Sequence, residues 1–538
     1  MRSLIPTFVA ERYLNRQFKG RFRAACMVVD VSGFSKMTDV LAEHGQHGAE
    51  VLAEVMQAVF DPMTESVYGR DGFIVGFAGD AFTALFPQET GLGSAAERAI
   101  AAALTIQKRL SAFVHATPYG EFRISVKIGL GKGEARWQII ENDNGENATF
   151  YFRGTTIDRA VKAELSARAE EILVDSHFYQ ELRGNLEGTW HGEQLFQVSD
   201  YRGKWPKFNK PEKVSLREDL LRTFWPEAIL QLKQSGEFRP AVNVFIGIPP
   251  ELQSKNGPEV LLKKVLELQE RYGGLLSRPD FGDKGFNLLL FWGAPITQES
   301  DIERALSFVV DLQAEMNYPF KAGITYRTSY AGFMGSTLRE DYTCYGWGIN
   351  LAARIMTSAE EGEILVDSEI ARRAGRKFKF QPIGERTFKG FARPQTVFKF
   401  LGRKEKIEEA IFSGSFYGRE KEIERLNQFI GPIWSGKFAG MFTIRGEAGI
   451  GKSRLVYEFR NSPVFLNKKV LWAICQTDEI IRQPLNPFRY WLKTYLNISD
   501  NKKDEAKNKR KFEQKLEQLI LATRDTELAI NLERDRSF

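Results

Sequence analysis

The sequence predicts an α+β protein made of two copies of one domain followed by an α/β phosphate-loop region, and three observations carry that reading. Strand-like and helix-like segments alternate from Arg23 onward with a hairpin among them, which suggests one sheet covered by helices. The hexapeptide E-I-L-V-D-S begins at Glu171 and again at Glu363, 192 residues later. The segment G-E-A-G-I-G-K-S, Gly446 to Ser453, follows an apolar strand-like run, Met441 to Arg445, and precedes the helical R-L-V-Y-E-F, the context a phosphate loop requires.

In the first copy, residues 24–31 read as a buried strand, 36–60 as a helix and 72–86 as a hairpin. A helix over 95–113, a strand over 122–130, a helix over 156–169 and a strand over 172–174 follow from their apolar periodicity. Residues 1–20 form an amphipathic lead-in, 21–203 the first domain and 238–402 the second. Between them, 204–237 carry Trp205-Pro206 and Trp225-Pro226 and read as a linker with one short helix. Residues 403–538 form the phosphate-loop region, in which Gly446, Gly449 and Gly451 free backbone N–H groups to surround phosphate, Lys452 reaches the outer phosphates and Ser453 meets Mg²⁺ of a bound ATP. No acidic strand end completes that site within 454–538; the region reads as incomplete, the chain as truncated, and ATP hydrolysis there is not expected.

Lys+Arg 75 against Asp+Glu 69 over 538 residues leaves a spread-out charge of +6, which argues against nucleic acid as a partner. The cysteines Cys26, Cys344 and Cys475 lack metal-ligand or disulfide spacing. Apolar runs fall short of the roughly 20 residues of a membrane span, so the expectation is a cytoplasmic chain whose domains pair intramolecularly, with protein partners reached through a missing C-terminal region.

The chemistry centres on V-V-D-V-S-G-F. Asp30 interrupts an apolar strand, where a carboxylate is costly unless a charge meets it, and Asp80 sits in the Gly-rich turn G-F-A-G-D-A. Asp30, Val31 and Asp80 make a metal set for two Mg²⁺ or Mn²⁺ ions, and the Ser32-Gly33-Phe34 turn opens a helix whose N–H groups suit a triphosphate. Comparing the copies, an offset of 208 residues carries Asp80 to Leu288 and Phe86-Pro87 to Ala294-Pro295; Asp30 falls opposite Gly247, and Lys284 opposite Gly76. The second copy has lost both carboxylates. At the offset of 192, Asn350, Arg354 and Thr343 match Asp158, Lys162 and Tyr151; separately, Lys389 in F-K-G-F matches Glu187 in L-E-G-T near the end of each copy. Complementary polar halves suit one site shared across a pseudo-twofold interface. With a nucleoside triphosphate between the copies, Asn350 would hold the ribose, Arg354 the charge at the α-phosphate and Lys389 another phosphate, and the product is a cyclic nucleotide. Lys284 and Thr343 suit the acceptor and amino donor of adenine. Guanine, wanting a carboxylate, and a binding-only sensing scaffold are the alternatives.

Together D-V-S-G-F, F-A-G-D-A, D-K-G, the T-x6-N-x3-R run from Thr343 to Arg354 and the late K-G resemble the class III nucleotidyl cyclases, in particular the soluble adenylyl cyclase type with its two unequal repeats and following ATPase region. The F-Y-G-R-E box beside the phosphate loop resembles signal-transduction ATPases of the extended AAA type. The resemblance implies two ferredoxin-like cyclase domains forming a pseudodimer, an adenylate cyclase activity with ATP as substrate, and the roles just given. It adds Lys127, in V-K-I-G-L, as a phosphate contact, against a reading as a solvated strand-edge lysine. In the bicarbonate-responsive member of the family, basic residues build a regulatory anion pocket where this sequence has Gly76 and Val161; bicarbonate is therefore expected to have little effect at constant pH, unless Arg159 or Lys162 substitutes.

Overall fold

A computed structural model describes residues 2–90, 93–111, 113–253, 257–282, 285–298, 300–316, 318–391, 393–404, 416–446, 450–466 and 505–522, with residues 468, 470–473, 475, 485, 488, 491–492 and 495–496. Of the predicted site residues, Lys284 and Gly449 lie outside the described residues. The chain divides into two units, one of residues 1–374 and 380–401, the other of 375–379 and 402–538.

The first unit opens with helix α1 (Thr7–Leu14) and strand β1 (Lys19–Ser32), then α2 (Phe34–Ala42), α3 (Gly45–Tyr68), β2 (Phe73–Ala78), β3 (Ala81–Pro87), α4 (Ala95–Leu110), β4 (Phe113–Thr117) and β5 (Gly120–Glu141). It continues through β6 (Ala148–Arg153), α5 (Thr155–Ser166), β7 (Ile172–Asp175), α6 (Ser176–Glu181), β8 (Leu186–His191) and β9 (Leu195–Tyr201). Helices α7 (Glu218–Phe224) and α8 (Glu227–Leu230) lead to β10 (Gly236–Gly247), α9 (Pro250–Gln253), α10 (Gly257–Tyr272), β11 (Leu275–Gly282), β12 (Gly285–Trp292) and α11 (Asp301–Glu315). The last elements are β13 (Lys321–Ser336), β14 (Arg339–Tyr345), α12 (Trp347–Ser358), β15 (Ile364–Asp367), α13 (Ser368–Ala374), β16 (Phe378–Arg386) and β17 (Gln395–Arg403). The expected helix over 36–60 is two helices that break at Glu43 and His44.

The two halves repeat one topology. Their sheets run β2-β3-β1-β5-β7-β9-β8 and β11-β12-β10-β13-β15-β17-β16, with β6 beside β5 as β14 is beside β13. Strand β4 adds a hairpin arm to the first sheet. Pairing registers extend the equivalence of the hexapeptide strands to the rest of each sheet. Ile128 pairs with Ile172 and Ala322 with Ile364; Asp30 pairs with Lys127 and Gly247 with Lys321. Asp30 therefore corresponds to Gly247 and Lys127 to Lys321. Asp30 also pairs with Ala81, and Gly247 with Asn287, so Asp80 corresponds to Phe286 and Pro87 to Gly293. This corrects the hairpin offset read from sequence, which chose Leu288 and Pro295; the loss of the carboxylate is unchanged. A bulge follows Ile74 in β2 and Leu276 in β11, which sets Gly76 against Arg278 rather than Lys284. The second hairpin is longer at its tip, and a constant offset could not register that.

Each sheet is covered closely by a helix. An added Cβ at Gly129 would lie 2.2 Å from the Ala160 carbonyl of α5, and one at Gly323 would lie 2.1 Å from the Ala352 carbonyl of α12. Glycine in these two strands allows helix and strand backbones to approach. The lead-in and linker are part of the core: Leu4, Ile5, Leu220, Leu221 and Trp225 are buried with Ala241, Leu275 and Phe291 of the second half, and Trp225 Nε1 donates to the Leu4 carbonyl at 3.1 Å. In the other unit, Leu455 and Phe459 of the helix Lys452–Arg460 pack on Leu426 and Ile430. The run 441–445 expected as a strand has no strand partner among the described residues.

Gly323→Ala is expected to cost about 2–3 kcal/mol in urea unfolding, since backbone rather than a flexible side chain opposes the new methyl. Gly431→Ala, whose Cβ would meet nothing within 4 Å, should change stability by less than about 0.5 kcal/mol.

Candidate active site between the two halves

Strand β2 touches β14 across the interface as β11 touches β6, the reciprocal contact of a pseudo-twofold pair. Phe77 N–H donates to Asp341 Oδ2 at 3.1 Å, and Thr64 Oγ1 donates to Ser336 Oγ at 2.6 Å. Tyr330, Met334 and Tyr345 of the second half are buried in the core of the first.

At one of the two pseudo-equivalent positions, the end of β1 meets the β2–β3 turn. Val31 N–H donates to the Asp80 carbonyl at 3.1 Å, which locks Asp30, Val31 and Asp80 into one corner. Tyr345 reaches across from β14, its hydroxyl donating to Asp80 Oδ2 at 3.4 Å. Burial first, and then the neighbouring Asp30 charge, push the Asp80 carboxyl up to about 7. That repulsion is an excess of negative charge a divalent cation fits. Among the described residues no group of three or more His, Cys, Asp or Glu gathers to hold a metal, so such an ion would need backbone carbonyls and phosphate oxygens beyond this pair.

Lys127 stands between two carboxylates, its Nζ 3.2 Å from Asp30 Oδ2 and 2.5 Å from Glu164 Oε1. Burial would lower its pKa, but Glu164 and Asp30 together hold it raised. The strand-edge reading is thereby corrected, because the side chain is only 21% exposed. Glu164, near the end of α5, escaped the sequence reading; its signal was a carboxylate one helical turn beyond an alanine that sits on Gly129.

Gly33, with φ +100°, begins α2, and a Cβ there would lie 2.5 Å from the Arg123 carbonyl. The Ser32-Gly33-Phe34 turn thus opens a helix N-terminus beside Asp30. Phe34 itself belongs to the core, edge-on to Phe60 and Tyr345, which limits its contribution to its backbone.

The second half supplies the other groups. Thr343 is buried on β14 with Ser277 Oγ 3.2 Å from its hydroxyl. Asp341, two residues earlier, is committed to the Phe77 N–H and to the buried Arg339 at 2.7 Å. Asn350 and Arg354 share α12, the first exposed and the second half-buried; neither side chain has a hydrogen-bond or ion-pair partner among the described residues. Lys389 is exposed in the turn between β16 and β17, where neighbouring Phe388 packs with Leu351 and Ile355 of α12. This packing draws the turn toward the helix that bears Arg354.

At the other pseudo-equivalent position aromatic rings stand in place of the carboxylate pair, with the Arg153 guanidinium over two of them. Phe286, in the place of Asp80, stacks on Phe281 at 4.3 Å, and Tyr151 lies 5.1 Å from Phe281. The cations considered as substitutes for an anion pocket are engaged, Arg159 with the Lys132 carbonyl and Lys162 with Gln194. In the phosphate-loop unit, Lys452 Nζ donates to the Gly446 carbonyl at 3.0 Å, and Gly451, with φ +97°, starts the helix that carries Ser453.

A family model described as AAA ATPase domain matches residues 415–533. Adenylate cyclase type 10 of Oryctolagus cuniculus is 24% identical over 508 residues, covering 81% of this chain and 30% of that protein. Its Homo sapiens namesake is 24% identical over 504 residues, 82% of this chain and 31% of its own. The chain thus spans less than a third of the length of these curated relatives. Among solved structures, a class III adenylyl cyclase-like ATP-binding protein from Pseudomonas aeruginosa covers 66% of this chain and 85% of its own at 13% identity, with a TM-score of 0.46.

The raised Asp80 pKa sets a pH dependence. A cation held by Asp80 would have to displace the proton that the carboxyl carries below about 7, so the apparent affinity for an added Mn²⁺ probe should fall about tenfold per pH unit below that value and level off above it. Calorimetric titration between pH 5.5 and 8.5 checks this, and Asp80→Asn should flatten the dependence.

Proposed function

We propose that this chain, homologous to adenylate cyclases of the soluble type, converts ATP to 3′,5′-cyclic AMP and pyrophosphate at one site shared by its two halves. One observation carries the reading. The carboxylates Asp30 and Asp80 occur only in the first half, Asn350 and Arg354 only in the second, and Tyr345, close before the helix of Asn350 and Arg354 in sequence, crosses the interface to Asp80. A binding scaffold has no need of such a division.

Asp30 and Asp80, with the Val31 carbonyl, would hold two Mg²⁺ or Mn²⁺ ions; these supply the charge that neutralises the triphosphate and acidifies the ribose 3′-hydroxyl. The protein's own groups position the substrate. The N–H groups opening α2 at Gly33 and Phe34 face the triphosphate, and Lys389 and Lys127 add cations to it. Asn350 holds the ribose, and Arg354, without a competing partner among the described residues, meets the charge that develops at the α-phosphate. Thr343 contacts the base, with Lys284 as its companion. Asp341, the carboxylate that guanine would want, is withheld by Arg339 and the Phe77 N–H, which favours adenine. In the phosphate-loop unit, Lys452 and Ser453 would hold a second ATP–Mg²⁺ in a regulatory role.

The test is incubation of the chain with ATP or GTP and Mg²⁺ or Mn²⁺, with products identified by mass spectrometry. Cyclic AMP should form from ATP, and Asp80→Ala and Arg354→Ala should each lower its rate at least about 100-fold. Nucleotide binding without any cyclic product would replace this reading with the sensing scaffold.

A further inference from the structure

The two halves allow one position to be compared with its own altered copy. In the first, Asp30, Lys127 and Glu164 form a continuous ion cluster, with Lys127 Nζ 3.2 Å from one carboxylate and 2.5 Å from the other. Strand pairing sets Lys321 in the place of Lys127 and Gly247 in that of Asp30. The matched approach of α5 to Gly129 and α12 to Gly323 sets Met356 in the place of Glu164: the nearest contacts include Glu164 N at 2.2 Å in one half and Met356 N at 2.5 Å in the other. A Cβ built on Gly247 would lie 2.6 Å from Met356 Sδ and 3.3 Å from Lys321 Cε. So the lysine is kept, both carboxylates are lost together, and thioether sulfur occupies the space between their positions. Helix α5 approaches its strand no differently from α12, so helix packing does not require Glu164.

We infer that Glu164 is a positioning residue that holds the Lys127 ammonium and thereby releases Asp30 to a divalent cation. The inference rests on the metal set proposed above. Asp30 serves Lys127 in the metal-free chain, and drawing it toward a metal would strand a half-buried ammonium, a costly state unless another carboxylate remains. Glu164, itself only 7% exposed, is that carboxylate. In the second half neither Asp30 nor Glu164 has a carboxylate counterpart, so Lys321 has no such ligand to release.

The experiment is titration of the nucleotide-free full chain with Mn²⁺, reading free ion by electron paramagnetic resonance, with Asp80→Ala to identify the site. Glu164→Gln, equal in shape, should weaken Mn²⁺ binding about five- to tenfold, the size of coupling seen between contacting groups. Glu164→Asp should restore part of it. In a Lys127→Met background the Glu164→Gln change should have little further effect, because the ammonium it serves is gone. Unchanged affinity in Glu164→Gln would overturn the inference, as would an equal loss in the Lys127→Met background, which would make Glu164 an ordinary nearby charge. Absence of any Asp80-dependent Mn²⁺ uptake in the unmodified chain would instead overturn the metal set itself.

Discussion

Two carboxylates confined to one corner of a sheet are the constraint on which the rest of the first unit depends. Asp30 and Asp80 are brought together because β1 ends where the β2–β3 turn begins, and the Val31–Asp80 backbone bond holds that corner shut. Burial first and then their repulsion raise the Asp80 pKa, and Lys127 offsets the repulsion only by sharing itself with Glu164. Much of the surrounding structure steadies this charged corner: Tyr345 from the opposite half, Gly33 turning the chain at the strand end, and α5 drawn close by Gly129.

The pseudo-twofold explains how one corner gathers carboxylates while its twin gathers aromatic rings. An interface that repeats its contacts reciprocally offers two positions, each built from a strand end of one half and a helix of the other. At the second position Phe281, Phe286 and Tyr151 gather into an aromatic cluster, and Gly247 leaves room for Met356. Each substitution exchanges charge for packing, so the second position contributes apolar burial to the interface. The lead-in and linker reinforce the arrangement by wedging Leu4, Ile5, Leu221 and Trp225 against the second sheet.

Much of this was legible because the sequence contains its own comparison. The hexapeptide fixed the equivalence of α5 with α12, and the close contacts of Ala160 with Gly129 and Ala352 with Gly323 agree with it. The hairpins were harder, since the second is longer at its tip; only the pairing registers show that Phe286, not Leu288, stands for Asp80. Glu164 was illegible for another reason. It lies far along the chain from Lys127 and Asp30, and a carboxylate on an amphipathic helix ordinarily faces solvent. Residues 204–237 looked like a tether because Pro and polar residues dominate them, and the helical spacing of Leu220, Leu221, Phe224 and Trp225 is confined to one short stretch.

The sequence by itself determined the chemical identities: two carboxylates in one repeat, an Asn and an Arg in the other, a phosphate loop beyond them, and a fold class set by alternating periods. Those features are local, written in spacing and residue type. The tertiary structure decided which groups face one another. It joined Asp80 to Tyr345 across the interface, committed Asp341 to Arg339 and the Phe77 N–H, and balanced Lys127 between Asp30 and Glu164. Such pairings depend on strand register and on how closely a helix can approach a sheet, and both are settled only when the two halves close on a common core.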